Sequence, residues 1–304
     1  MLVSDLAQVT FRLPQAAAEA VANFLTELSG GGVEQRDAET IAAPGDGLVE
    51  FIVWMPSSDV DGHVHAVEKL LASLKEMNVE VAPFTWESAD ADPDVWVDAY
   101  KRHFRTTRIG RRFVVKPSWE NHASEPGDLL IELDPGMAFG TGLHATTKLM
   151  MHILERVARL SPAPQSVVDV GCGTGILAIA TARLWQASKI IAIDNDPTAV
   201  AVCRENVARN GLSDRIEIRE GSATRLEGRH SLILANLSYD VLSTEAVRQS
   251  FMDHLDDFGR LALAGLLAEQ ARAIAIQYTR ELALEPEYSQ EMSGWRALLL
   301  RVRA

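Results

Sequence analysis

The segment "SVVDVGCGTGILAIATARLWQASKIIAIDNDP", residues 166–197, restricts the fold more than any other part of the chain. The short apolar run 167–170 stops at glycines on alternate positions, Gly171, Gly173 and Gly175. A helical pattern follows, and a second apolar run ends at Asp194. Strand, crossover helix and strand make a βαβ unit with parallel strands. Strands buried on both faces read as continuous apolar runs. Further runs of this kind fall at 190–193, 231–235 and 260–264, with a weaker one at 215–219. Helical periodicity over 176–185, 197–210, 240–255 and 268–278 separates them. The end, "ELALEPEYSQEMSGWRALLLRVRA", reads as two strands around a turn, compatible with a final antiparallel hairpin.

Such a sheet binds its ligand outside the carboxyl ends of the strands. The glycines read G-x-G-x-G, whereas a dinucleotide fingerprint needs its third glycine where Ile176 stands. A phosphate-binding P-loop needs Lys and Ser or Thr after its glycines, and the sequence has neither there. Asp194, at a strand end, can accept hydrogen bonds from a ribose diol. Asp169 can hold the loop or reach a ligand ammonium. For both acids the plainer reading is a cap on neighbouring backbone groups. Asn236 follows the apolar run of "LILANLSYD". Its amide both donates and accepts, which suits an amino-acid moiety or an incoming amine. The plainer reading is a helix cap.

The first 86 residues follow another plan. Strand, helix, strand, strand, helix and strand occur in turn, from "LAQVTFRLP" to "VEVAPFTW". This βαββαβ order predicts a ferredoxin-like α+β domain, a fold that hosts many functions. Residues 87–129 read as an acidic linker with Pro93, a short helix at 95–104, and a basic hairpin region. In that region "KRHFRTTRIGRRFVVK" carries seven Lys or Arg and no acid. A solvated linker and hairpin is weighed there against an anion contact. Residues 130–304 hold the α/β unit. The chain as a whole has 42 acidic and 29 basic residues, a net charge of −13, which opposes general binding to nucleic-acid phosphate. Two cysteines in 304 residues make no disulfide framework, and neither a secretory signal nor a membrane-length apolar run stands out. The eight histidines form no close ligand cluster, so no metal is expected. A cytoplasmic setting is predicted. Oligomeric state is left open, with a monomer compatible.

"ELDPGMAFGTGLHATT", "VVDVGCGTGILAIA", "IAIDNDP" and "ANLSYDVL" together resemble the ribosomal protein L11 methyltransferase family of class I S-adenosylmethionine-dependent methyltransferases. The resemblance covers roughly residue 94 to the end, and the first of these strings is the most specific. It implies a Rossmann-like sheet over 130–304 and a substrate-recognition role for residues 1–86. It implies S-adenosyl-L-methionine as cofactor, and methylation of lysine side-chain amines and the N-terminal amine of ribosomal protein L11. No direct nucleic-acid requirement and no membrane partner are expected.

By this resemblance Thr147, Gly171, Asp194 and Asn236 contact the cofactor, with Gly173 passing beside it. The loop 139–144, which includes Phe139, Thr141 and His144, would close over its methionine and sulfonium end. Asn236 would face the reacting end. Thr141 and His144 complete the candidate catalytic set, with loop anchoring favoured over general base for His144. Leu143 and Ala145 stand where the family pattern "GTGTHPTT" has Thr and Pro, and Leu237 and Ser238 follow Asn236 where the family usually has Ile-Leu or Leu-Leu. Competing readings are a lysine methyltransferase for a different protein, a nucleobase or small-molecule N-methyltransferase, and a non-catalytic binding module.

Overall fold

The computed structural model describes residues 6–29, 33–36, 47–76, 78–90, 105–133, 144–160, 162–282 and 284–303. The chain divides into two compact units, 1–105 and 106–304. The helix expected at 95–104 lies outside the described residues.

The first unit contains β1 (Leu6–Pro14), α1 (Gln15–Ser29), β2 (Val33–Arg36), β3 (Leu48–Pro56), α2 (Val60–Glu76) and β4 (Thr85–Asp90). The strands form an antiparallel sheet in the order β2-β3-β1-β4, the ferredoxin-like arrangement. Alternate residues make its core. Val9, Phe11 and Leu13 of β1 and Val49, Phe51 and Val53 of β3 are fully buried. They pack with Val21 and Leu25 of α1 and Val64, Val67 and Leu71 of α2, which recur at helical spacing. Each such aliphatic burial stabilises by about 1.5–3 kcal/mol.

The expected closing strand is displaced. It starts at Thr85 and continues through "ESAD", so a boundary at residue 86 cuts it in two. All six residues of β4 are exposed. An edge strand with no buried face lacks apolar alternation, and acidic residues there discourage pairing with other chains. Glu87 of β4 accepts from Arg12 at 2.8 Å, and Arg12 also donates to Glu50 at 2.8 Å.

The second unit opens with β5 (Thr107–Ile109), β6 (Phe113–Lys116) and β7 (Leu129–Glu132), a small sheet of their own. Then come α3 (Ala145–Leu160), β8 (Ser166–Val170), α4 (Ile176–Leu184), β9 (Lys189–Asp194), α5 (Pro197–Arg209), β10 (Ile216–Glu220) and β11 (His230–Asn236). A single turn at Tyr239–Leu242 precedes α6 (Glu245–His254), β12 (Leu255–Leu267), α7 (Ala268–Glu281), β13 (Leu284–Met292) and β14 (Trp295–Val302). The helix expected over 240–255 is therefore interrupted, with Thr244 as the N-cap residue of α6. The large sheet has the order β10-β9-β8-β11-β12-β14-β13. Neighbours from β10 to β12 are parallel, and β14 is antiparallel to both β12 and β13. This is the α/β Rossmann-like sheet that the apolar runs predict, closed by the expected hairpin. One face packs Val168, Ile191, Ile233 and Leu261 against Phe251 of α6 and Ile274 of α7.

The basic hairpin is β5–β6, and two of its cations, Arg108 and Lys116, meet acids of the same chain. Arg108 pairs with Asp128 at 2.7 Å and Glu125 at 3.2 Å, and Lys116 with Glu132 at 2.7 Å. The Arg108 guanidinium holds the Asp128 carboxyl down to about 2. The buried carboxylate of Glu155, on α3, accepts from the backbone N–H groups of Arg111 and Arg112 at 2.7–3.0 Å. The turn's anion-binding donors are thus filled from within, which favours the structural reading of this stretch over an external anion contact.

Candidate functional site

Chain order runs outward from β8 through β9 to β10 on one side of the sheet and from β11 through β12 on the other. The carboxyl ends of β8 and β11 therefore flank a topological switch point. Val170 and Ala235 are the last residues of these strands in register, so Gly171 leaves β8 beside Asn236, the final residue of β11, which still pairs with Ala264 of β12.

The glycine turn is fixed by backbone donors. Gly171 and Cys172 both donate to the Ile193 carbonyl, at 2.9 and 3.0 Å. Gly173 donates to Asp194 Oδ2 at 2.9 Å, and Asp196 donates to Asp194 Oδ1 at 3.0 Å. Asp194 is buried, so it caps local backbone and still has one acceptor site on each oxygen. Gly171 has φ +68° and Gly175 φ +80°, the left-handed region. A Cβ at Gly171 would collide with Leu237 Cδ2, and one at Gly175 would lie 2.6 Å from Cys203 Sγ. At these two positions glycine admits the protein's own side chains as well as a positive φ. Both cysteines are free and buried; a hydrogen bond between the Cys172 thiol and Cys203, together with burial, pushes the Cys172 pKa upward, so Cys172 is not a poised thiolate.

Asp169 is 1 % exposed. Its Oδ2 accepts from Ala178 N–H at 3.0 Å in the first turn of α4, and its Oδ1 has no hydrogen-bond partner. Burial, with Asp194 nearby, pushes its pKa up to about 7.

Across the switch point, α3 brings a second set. The His144 carbonyl accepts from Lys148 N–H, and its Nδ1 accepts from Thr146 N–H at 3.3 Å, so His144 caps the helix. Nδ1 lies 2.8 Å from Thr146 Oγ1, which accepts from Asn236 Nδ2 at 3.2 Å. The His144 ring also meets Trp295 edge-on, with centroids 5.1 Å apart. Burial, and then Lys148, lower its pKa and hold the imidazole neutral. Thr147 is buried, and its Oγ1 has no partner; the same holds for Asn236 Oδ1.

Of the predicted residues, Gly171, Gly173, Asp169 and Asp194 come together on one side. His144 and Asn236 are linked on the other through Thr146, which Thr147 follows on α3. Phe139 and Thr141 lie outside the described residues. Sequence reasoning missed Thr146 and Trp295. The Thr146-Thr147 doublet at the start of a helix was the available signal for the first; Trp295 carried none. Among the described residues no three His, Cys, Asp or Glu groups cluster as metal ligands, and no helix is long and apolar enough to cross a membrane. Two cavities, of about 160 and 480 Å³, open at the amino-terminal ends of the strands, beside Ser231 and Lys189 respectively, at the opposite edge from these donors and acceptors.

Asp169 Oδ1, Thr147 Oγ1 and Asn236 Oδ1 are buried acceptors without partners, and an unmet buried polar atom is costly. A ligand with an ammonium group and hydroxyls would satisfy them and Asp194. The strand order and these open acceptors fit a class I methyltransferase, the class that uses S-adenosylmethionine. The sequence model of "Ribosomal protein L11 methyltransferase (PrmA)" matches residues 5–303. The chain belongs to that family.

A ribosomal protein L11 methyltransferase of Geobacter metallireducens is 38 % identical over 276 residues, 87 % of each chain. That of Symbiobacterium thermophilum is 37 % identical over 309 residues, covering 96 % of this chain and 97 % of its own. The crystal structure of ribosomal protein L11 methylase from Lactobacillus delbrueckii subsp. bulgaricus superposes with a TM-score of 0.59 at 29 % identity. It covers 66 % of this chain and 100 % of that one.

Proposed function

We propose that this protein transfers methyl groups to lysine side-chain amines and the N-terminal amine of ribosomal protein L11, in the cytoplasm. The observation that carries the reading is the set of unpartnered buried acceptors at the switch point, in a chain matched from end to end by this family. The names of the relatives supply L11, and the net charge of −13 suits a basic partner.

Bound S-adenosylmethionine supplies an electrophilic methyl group on a positive sulfur. Asp194 would hold its ribose hydroxyls, Asp169 Oδ1 its ammonium, and Thr147 and the turn at Gly171 and Gly173 its flank. Asn236 Oδ1 accepts one N–H of the incoming amine and so directs the nitrogen lone pair. An asparagine takes up no proton. A lysine amine, with an ordinary pKa near 10.4, must therefore arrive neutral or lose its proton to water. Burial beside positive charge favours the neutral amine. His144 caps α3 as a neutral acceptor, so its part is to hold the edge of the site. Phe139 and Thr141, which lie outside the described residues, are proposed to contact the cofactor and its reacting end. Catalysis then comes from orientation and from excluding water around the reacting pair.

The test is intact-mass spectrometry of purified L11 after incubation with this protein and S-adenosylmethionine. Gains in steps of about 14 Da, mapped to lysines and the N-terminus, are expected. No gain on L11, with cofactor binding shown separately by calorimetry, overturns the assignment.

A further inference from the structure

We propose that Thr146 is a positioning residue, whose hydroxyl proton is committed to His144 Nδ1 so that the Asn236 amide must turn its carbonyl oxygen into the site. This rests on the amine-methylating reading above and adds a residue to it. An amide can face a hydroxyl with either end, because a hydroxyl both donates and accepts. What decides is where the single hydroxyl proton goes.

His144 Nδ1 answers that question. It takes the backbone N–H of Thr146 at 3.3 Å, which makes it an acceptor. A ring nitrogen with a lone pair facing Thr146 Oγ1 at 2.8 Å draws the hydroxyl proton to itself. The oxygen then has only lone pairs left for Asn236. Nδ2 supplies the matching donor at 3.2 Å, and Oδ1 is left buried without a partner. Thr146 is 1 % exposed, so water does not compete for either bond. With the proton reversed, the hydroxyl would donate to Oδ1. The amide would then show two N–H donors to an incoming amine, which needs an acceptor.

Threonine gives the relay one proton and a fixed direction. Thr146→Val keeps the shape and removes the hydroxyl, leaving the amide free to turn. Thr146→Ser keeps the hydroxyl. For Thr146→Val, kcat on L11 is expected to fall about tenfold, the rate equivalent of one neutral hydrogen bond, with KM for L11 and the Kd of S-adenosylhomocysteine within about threefold. Thr146→Ser should return kcat to within about threefold of the unchanged protein. An unaltered kcat in Thr146→Val, a serine variant as slow as the valine one, or equal losses in cofactor binding would each overturn the proposal.

Neutron diffraction of the unchanged protein reads the same device without turnover. It should show Nδ2 of Asn236 facing Thr146 and no deuteron on His144 Nδ1. The opposite amide orientation, or a deuterated Nδ1, overturns it. If L11 gains no methyl group from the unchanged protein, the substrate assignment fails, and the neutron result alone decides on the relay.

Discussion

Replacing Asp169 with Asn should stabilise the ligand-free protein above neutral pH and weaken its hold on the cofactor. The carboxyl is buried, has one bond from Ala178 N–H, and leaves Oδ1 unmatched. Its pKa is raised from 3.8 to about 7. In the unfolded chain the group ionises near the ordinary value, so between about pH 4 and 7 the unfolded state is deprotonated while the native state keeps its proton. Stability therefore falls as pH rises through this window, by about 1.4 kcal/mol per pH unit and up to about 4 kcal/mol in total for the shift to about 7. Asn keeps the acceptor for Ala178 and carries no charge. Urea unfolding of both proteins at pH 5 and pH 8 measures the difference. The gap between them should widen by a few kcal/mol in favour of the variant on going to pH 8. A ligand ammonium reverses the preference by stabilising the charged carboxylate. Affinity for S-adenosylmethionine should fall in the unchanged protein as pH drops below about 7, and be weaker and flatter in the variant. Parallel stability profiles in the two proteins would refute the reasoning, since they would mean that Asp169 titrates alike folded and unfolded.

Gly175→Ala should cost about 2–4 kcal/mol in urea unfolding, from its left-handed φ of +80° and a Cβ 2.6 Å from Cys203 Sγ. Adding Cys203→Ala should recover the crowding part and leave the backbone part. Glu155→Ala should destabilise by about 3 kcal/mol, because the backbone donors of Arg111 and Arg112 lose their carboxylate. Hydrogen exchange at those two amides should accelerate with it. Asp194→Ala should weaken S-adenosylmethionine binding more than tenfold by calorimetry, since it removes the proposed ribose acceptor and frees the Gly173 and Asp196 N–H groups.

The sheet, and one end of the candidate site, were legible because they depend on local rules. Apolar runs separated by helical patterns specify parallel strands, and Asp194 and Asn236 are polar residues at the ends of such runs. Features set by distant contacts were not legible. In β4 the residues "ESAD" are held by pairing with β1, seventy-seven or more positions earlier, while every side chain stays exposed; composition alone suggests a linker. Glu155 looks like an ordinary surface charge on α3, and only folding shows that it fills a turn forty-three residues away.

Thr146 is the sharpest case. It meets Asn236 across ninety residues, and neither spacing nor residue type marks it apart from its neighbour Thr147. Yet the two threonines end in opposite states: the hydroxyl of Thr146 is engaged on both sides, and that of Thr147 is buried and unpartnered. The first state suits a group that orients another, the second a group that waits for a ligand. If that division is correct, exchanging the hydroxyl for a methyl should separate in the two positions. Thr146→Val should act on kcat, and Thr147→Val on the Kd of S-adenosylmethionine, by about tenfold in each case. Equal effects on both quantities at both positions would mean that the pair acts through the packing of α3 and not through the separate fates of its two hydroxyls.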